Sequence, residues 1–442
     1  MSAAPAPPRQ AWLARPSRRV GGVIAVPGDK SVSHRALMLG GIAEGTTTVR
    51  GFLEGEDCLA TMLAMRAMGV RIERHPDATV EVRGVGLRGL AGAPGPLDMG
   101  NAGTAMRLFT GLLAGQSFDS VLVGDSSLMK RPMERVALPL RLMGARIETS
   151  AGKPPVRIEG GHALRGIDYR LEVASAQVKS AILLAGLYAD GRTSVTEPAI
   201  TRDHTERMLR AFGVPVEAAN GRVSLEPATL RGCDIEVPGD FSSAGFFLVA
   251  ATVAGRETLT LRNVGMNPTR TGLLEILRLM GARIEVTGER CAGDEPVADL
   301  IVHPAPLRGI EVPQRLVPLA IDEFPALFVA AALAEGETLV TGASELRVKE
   351  SDRIGVMAEG LEALGATVEA RPDGMWIRGG TLTGGTVDSH GDHRIAMSFA
   401  VAACRADTPV QILDVANVAT SFPGFVEVAR GAGLDVSTQE AR

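Results

Sequence analysis

Lys30 and Ser31 stand at the mouth of an apolar helix, directly after a Pro27-Gly28 turn and Asp29, a setting in which they can grip an anion. The short apolar strand Val23 to Val26 leads into the turn, and the apolar run from about Val32 to Ile42 predicts the helix. The unpaired N–H groups and positive dipole end of a helix start point the same way as the ammonium. Ser and Asp at helix starts ordinarily serve only as caps. Further charged groups occupy comparable positions: Lys130-Arg131-Pro132 precedes one amphipathic helix, and Arg347-Val348-Lys349-Glu350-Ser351-Asp352-Arg353 precedes another. Such runs are as a rule solvated. The second, however, alternates cation, anion and cap within one turn, which is dense for a purely structural cap. Asp322 and Glu350 are the carboxylates suited to proton transfer, with Lys30 as the cationic partner.

Three other patterns lead nowhere. Gly84-Val85-Gly86-Leu87-Arg88-Gly89 has dinucleotide-loop spacing but opens no helix, since Gly92, Pro94, Gly95 and Pro96 follow. In Gly28-Asp29-Lys30-Ser31 an Asp intervenes between Gly and Lys, which a phosphate-binding P-loop does not allow. Asp388, His390, Asp392 and His393 could ligate a metal, but Arg394 beside them would oppose a cation, so a polar helix mouth is the preferred reading. No metal and no cofactor are expected.

The elements that must position these groups belong to an ordinary globular protein. The chain has 442 residues, enough for two large domains, with 45% apolar and 22% charged residues. Aromatic residues make up 4% and the net charge is −5, with no dense basic run, which argues against nucleic acid as a partner. An anionic substrate must therefore be attracted locally. Cys58, Cys233, Cys291 and Cys404 are scattered without metal or redox spacing and read as buried thiols of a reducing compartment. No apolar run approaches the ~18 residues of a membrane helix. Residues 1–19, rich in Pro, Ala and Arg, read as a partly disordered tail without a secretion signal, and a cytoplasmic protein is expected.

The chain repeats itself. Six helical runs end on Gly and re-enter a strand, at Gly69, Gly144, Gly213, Gly281, Gly365 and Gly433. Leu-Arg-Gly precedes a strand at Leu87, Leu164, Leu230 and Leu307. Six more helices are apolar nearly all round, with cores Ala36–Ile42, Ala105–Ala114, Ala181–Ala189, Ala244–Ala254, Ala326–Ala334 and Ile395–Cys404, and so must be buried. Each unit reads as buried helix, strand, amphipathic helix and further strands. Val26-Pro27-Gly28-Asp29 returns as Val237-Pro238-Gly239-Asp240, which divides the chain into two α/β domains of three units. The expected boundaries are 27–237 and 238–442, with residues 1–26 rejoining the second domain across a double hinge. If the buried helices run parallel, their six N-termini face one cleft and suit a ligand carrying phosphate and carboxylate groups.

From about residue 20 to 435 the sequence resembles the 3-phosphoshikimate 1-carboxyvinyltransferases, also called 5-enolpyruvylshikimate-3-phosphate (EPSP) synthases. The resemblance rests on Pro-Gly-Asp-Lys-Ser-x-Ser-His-Arg (27–35), Gly-Asn-Ala-Gly-Thr-Ala-Met-Arg (100–107), Lys-Arg-Pro-Met (130–133), Ser-Ala-Gln-Val-Lys-Ser (175–180), Arg-Val-Lys-Glu-Ser-Asp-Arg (347–353) and Asp-His-Arg-Ile-Ala-Met (392–397). It implies two inside-out α/β barrel domains of three units each. It also implies transfer of the enolpyruvyl group of phosphoenolpyruvate to the 5-hydroxyl of shikimate 3-phosphate with release of phosphate, in the shikimate pathway to chorismate and aromatic amino acids. By resemblance, Lys30, Ser31, Arg35, Ser175, Ala176, Gln177, Arg202, Asp322 and Lys349 hold shikimate 3-phosphate. Lys30, Gly103, Arg131, Gln177, Arg353 and Arg394 meet phosphoenolpyruvate. Asp322 takes the hydroxyl proton, and Glu350, aided by Lys30, protonates the methylene carbon.

Several positions depart from the best-known members and resemble the class II branch: Ala176 for Ser, Arg202 for Tyr, Glu345 for Asn, Thr420 for Lys and Leu108 for Pro. Gly103 is instead the small residue of glyphosate-sensitive members, so glyphosate is the expected inhibitor. The expected protein is a monomer. Two alternatives are enolpyruvyl transfer to another acceptor, such as a UDP-amino sugar, and a non-catalytic repeat scaffold; the scaffold would have no reason to gather Lys30, Arg131, Asp322, Glu350 and Arg394 at helix mouths.

Overall fold

The computed structural model describes residues 10–17 and 19–440. Among them twelve α-helices follow one another as α1 (Lys30–Ile42), α2 (Glu56–Ala67), α3 (Gly103–Ala114), α4 (Glu134–Leu142), α5 (Ala176–Gly186), α6 (His204–Ala211), α7 (Phe241–Ala254), α8 (Gly272–Leu279), α9 (Phe324–Ala332), α10 (Arg353–Ala363), α11 (His393–Ala403) and α12 (Phe425–Gly431). The odd-numbered helices are the all-round apolar runs and are buried almost throughout. α1 starts at Lys30, ahead of Val32, because the Asp29 carboxylate accepts from the Val32 N–H at 2.9 Å and caps a turn that already holds Lys30 and Ser31. Asp240 caps α7 in the same way at 2.7 Å, and Asp392 caps α11 at 3.0 Å. α5 stops at Gly186, short of Ala189, where N–H groups of Leu187 and Tyr188 turn to carbonyls three residues back. After every even-numbered helix comes a glycine with φ between 85 and 106°, a left-handed stop that residues with a Cβ rarely adopt.

The described strands form six open sheets of three or four strands each, giving a mixed α/β fold. Around α3, Leu97–Asp98 and Ser120–Val123 run parallel, and the hairpin Arg146–Ser150/Lys153–Glu159 adds two antiparallel strands with its second strand innermost. The sheet beside α5 repeats that order. Two sheets are completed by exchange. Val20–Ala25 leads into α1 but pairs in parallel with Gly255–Gly265, which follows α7. Asp234–Glu236 leads into α7 but pairs in parallel with Thr46–Arg50, which follows α1.

The sixth sheet takes its inner antiparallel strand from the other end of the chain. Gln10–Arg15 lies between Val410–Leu413 and Asp435–Glu440, and buried Trp12 stacks on Phe425 at 5.1 Å. This corrects the tail expected over residues 1–19: residues 10–15 are sheet, because alternate side chains of Ala11-Trp12-Leu13-Ala14 have a core to enter. Residues 1–9 and 18 lie outside the described residues.

Two compact bodies result. One comprises Pro27–Pro238 together with Arg290–Val297, and the other comprises residues up to Val26, Gly239–Glu289 and Ala298–Arg442. Each has its own apolar core built on three odd-numbered helices. The boundary at 238/239 falls one residue past the sequence division. Residues 290–297, the turn between strands Arg283–Ala292 and Glu295–His303, join the first body. The four thiols are free, but only Cys58 and Cys404 are buried; Cys233 is half-buried and Cys291 is exposed, since residues 287–291 of its hairpin strand are exposed on both faces. No helix of the described residues is long and apolar enough to cross a membrane.

Candidate active site

In the first body the predicted residues sit at the N-terminal ends of α1, α3, α5 and α6. Lys30 opens α1, and its Nζ is 2.5 Å from Oδ2 of Asp57 on α2, a pair that is mostly shielded from water. Ser31 follows Lys30, and its carbonyl accepts from Nη1 of Arg35 at 2.9 Å. Arg35, one turn further on, is buried and also donates to Thr205 at 2.6 Å and Ser180 at 2.9 Å. Burial pushes its guanidinium down to about 10, with Glu206, Asp29 and Glu295 acting in the opposite direction and Arg202 adding to the fall.

Ser175 caps α5 by accepting from the Val178 N–H at 3.4 Å, and Ala176 is the first helical residue. Gln177 is spanned by α3: its Oε1 accepts from Arg107 at 2.7 Å and its Nε2 donates to Thr104 at 2.9 Å. Arg131 closes the short 3-10 turn Leu128–Lys130 and donates to the side chain of Asn101 at 2.6 Å and to Ser127 at 3.2 Å. Gly103 begins α3, where a Cβ would stand 2.9 Å from Nη1 of Arg131 and 3.2 Å from Nη1 of Arg107. Gly103 and Arg131 thus meet at the mouth of α3, and Gln177 at the start of α5 bonds to that same helix. Arg202 lies just ahead of α6.

In the second body one guanidinium organises the rest. Arg353, the first residue of α10, donates from Nε to Asp392 at 2.8 Å, from Nη2 to Glu350 at 2.6 Å and from Nη1 to Asp322 at 3.4 Å. Burial works against its charge, but Asp392, Glu350 and Asp322 together hold it above the usual arginine range. Lys349 Nζ is 3.2 Å from the same Asp322 oxygen. Arg394, in the first turn of α11, donates to the Asp322 carbonyl at 3.0 Å and lies 3.9 Å from the buried carboxylate of Glu323. The two proposed proton carriers are thus held on one cation, with two further cations beside Asp322.

Lys30 and Glu350, which the sequence reading pairs, belong to different bodies, and each has a partner of its own: Asp57 for Lys30 and Arg353 for Glu350. Within the polar cluster Asp388-His390-Asp392-His393 the two carboxylates serve the backbone and Arg353: Asp388 accepts from the His390 N–H, and Asp392 from the Arg394 N–H and from Arg353. No group of described His, Cys, Asp or Glu residues has the arrangement of a metal site. Sequence reasoning named neither Asp57 nor Arg107 as a site residue, and met Asp392 in the cluster it read as a polar helix mouth; Arg107 and Asp392 were not assigned a role. The last two stand inside quoted motifs, whereas Asp57 in Gly-Glu-Asp-Cys carries no local signal.

Known proteins resemble this chain over nearly its whole length. The family model described as EPSP synthase (3-phosphoshikimate 1-carboxyvinyltransferase) matches residues 14–429. The 3-phosphoshikimate 1-carboxyvinyltransferase of Methylococcus capsulatus is 61% identical over 427 residues, covering 96% of this chain and 98% of that protein. The protein of that name from Alkalilimnicola ehrlichii is 62% identical over 430 residues, covering 97% and 96%. The solved EPSP synthase of Acinetobacter baumannii superposes with a TM-score of 0.87 at 54% identity, over 97% of this chain and all of that one.

Proposed function

This chain belongs to the EPSP synthase family, and from that premise we propose that it transfers the enolpyruvyl group of phosphoenolpyruvate to the 5-hydroxyl of shikimate 3-phosphate and releases phosphate. Lys30, Ser31, Arg35, Ser175, Ala176, Gln177, Arg202 and Lys349 hold the acceptor, and Lys30, Gly103, Arg131, Gln177, Arg353 and Arg394 hold phosphoenolpyruvate. Arginine forks suit both anions, because two parallel N–H groups match a carboxylate or phosphate edge.

The acceptor hydroxyl oxygen attacks C2 of phosphoenolpyruvate while ionised Asp322 takes its proton and Glu350, which enters the cycle protonated, gives one to the methylene carbon, so that a tetrahedral adduct forms with no net change of charge. Collapse reverses the roles. The new methyl returns a proton to Glu350, the C2–O bond to phosphate breaks, and Asp322 returns its proton to the leaving group. Such a cycle needs two carboxyl groups held in fixed places, and the observation that carries the proposal is that Asp322 and Glu350 share Arg353. The chemistry calls for no metal or cofactor.

Within this proposal the chain is a cytoplasmic monomer of two inside-out α/β barrel domains and falls in the class II branch. Thr420 supports the branch assignment, since its hydroxyl is buried and donates to the Asn417 carbonyl at 2.7 Å, a position from which it cannot reach as a lysine would. Glyphosate is the proposed inhibitor, acting beside Gly103 and Arg131.

Phosphate release with phosphoenolpyruvate and either shikimate 3-phosphate or a UDP-amino sugar tests the assignment. Turnover is expected with the first acceptor only. Turnover confined to the UDP-amino sugar, or none with either, would sink it.

A further inference from the structure

The first turn of α6 commits three consecutive side chains to three different elements. Thr205 accepts from Nε of Arg35 at 2.6 Å and lies 2.7 Å from the Ser180 hydroxyl that also receives Arg35. Glu206 pairs at 2.7 Å with buried Lys179, whose charge Glu206 and Glu197 sustain against the cost of burial. His204 places Nδ1 2.7 Å from Oε1 of Glu295.

Glu295 is the outlier in that set. It comes from the turn between Arg283–Ala292 and Glu295–His303, in the segment Arg290–Val297 that packs within the first body. Arg207 anchors the same turn by donating to the Asp294 carbonyl at 2.8 Å. His204 and Glu295 are 2% and 5% exposed, so this is not a solvated surface pair, and deleting one side costs the other a buried contact. The charge of Glu295 is also among those that offset the burial of Arg35.

Arg35 commits three of its five N–H groups to Thr205, the Ser31 carbonyl and Ser180, which leaves one on each terminal nitrogen. Where those two point depends on where Thr205 stands. We infer that Glu295 is a positioning residue for the anionic acceptor substrate: by holding His204 at the head of α6 it fixes Thr205, and so the direction in which Arg35 presents its remaining donors. The inference rests on the proposed role of Arg35 toward shikimate 3-phosphate. A merely structural fastening of the hairpin would change stability without distinguishing the two substrates.

The test uses the full chain, with KM determined for each substrate and shikimate 3-phosphate binding measured by calorimetry. Glu295→Ala is expected to raise the KM and dissociation constant for shikimate 3-phosphate about tenfold, the scale of one lost buried hydrogen bond to a charged group. KM for phosphoenolpyruvate and kcat should stay within about twofold. Glu295→Gln, which keeps an acceptor oxygen for His204, should recover most of the loss. In an Arg35→Lys background the effect of Glu295→Ala should vanish, as it must if Glu295 acts through Arg35. Unchanged acceptor binding, an equal change for both substrates, or a full effect persisting in the Arg35→Lys background would each overturn the inference. If Glu295→Ala does not fold, His204→Phe, which keeps a ring but has no nitrogen to donate, breaks the same contact from the other side and is read by the same criteria. An active wild type with an indifferent Glu295→Ala defeats this inference alone, whereas a wild type inactive toward shikimate 3-phosphate defeats the transferase assignment and this inference with it.

Discussion

Nε of Arg353 donates to Oδ2 of Asp392 across 2.8 Å, and the two side chains are 1% and 0% exposed. Two charges so completely removed from water depend on each other, because breaking such a pair leaves the survivor buried and uncompensated. Asp392 also caps α11 and accepts from Ser351 at 3.1 Å. Asp392→Asn keeps a good capping residue, so it isolates the loss of charge. Urea unfolding should show about 3 kcal/mol less stability with an unchanged slope. Activity should fall as well, since Arg353 then holds Glu350 and Asp322 without its strongest anchor.

Glu350→Gln and Asp322→Asn should each lower kcat at least about 100-fold, the usual weight of a positioned general acid or base. The two can be separated by isotope. If Glu350 delivers the proton to carbon, the variant should lose solvent deuterium incorporation at the methylene of phosphoenolpyruvate in step with turnover. A Glu350→Gln enzyme that still exchanges deuterium at the wild-type rate would remove Glu350 from that role.

Much of this was legible in the residues themselves. Asp29, Asp240 and Asp392 each precede an apolar run, and a carboxylate there caps a helix whatever else surrounds it, so the helix mouths could be found by eye. Gly69, Gly144 and their counterparts marked helix ends because a left-handed stop favours glycine. What escaped were contacts between segments far apart in sequence. Nothing in Gln10–Arg15 announces that it fills the inner place of a sheet formed 400 residues later. The sequence division sends residues 1–26 to the second domain, but the strands that Val20–Ala25 and Asp234–Glu236 pair with are invisible to local pattern because no hairpin turn links a strand to a parallel partner. Asp57 and Glu295 sit in stretches without motif character, and their roles exist only once Lys30 and His204 are brought beside them.

At Gly103 an added methyl would meet the ends of two flexible side chains, Nη1 of Arg131 at 2.9 Å and of Arg107 at 3.2 Å, and no backbone within the same reach. Gly103→Ala should therefore fold with little change in melting temperature while displacing Arg131. KM for phosphoenolpyruvate is expected to rise several-fold, and the inhibition constant for glyphosate by at least about tenfold, since one methyl in a filled pocket is worth that much. An inhibition series showing the same glyphosate constant for both proteins would remove the steric argument.

His34 is the one buried imidazole of α1, with Nδ1 2.7 Å from the Thr61 hydroxyl. Burial chiefly, then the charges of Lys30 and Arg35, push its pKa well below the ordinary value, so the folded protein keeps it neutral. The unfolded chain titrates near 6.5. Below that pH the unfolded state binds a proton that the folded state refuses, and stability falls as pH drops; above it the two states bind alike and the contribution is constant. Between pH 7.5 and 5.5 the wild type should lose up to about 1.4 kcal/mol per pH unit once below 6.5. His34→Gln should show a flatter profile over the same window, where most carboxylates are already ionised in both states. A variant whose melting temperature tracks the wild type at every pH would mean that some other group carries the acid sensitivity.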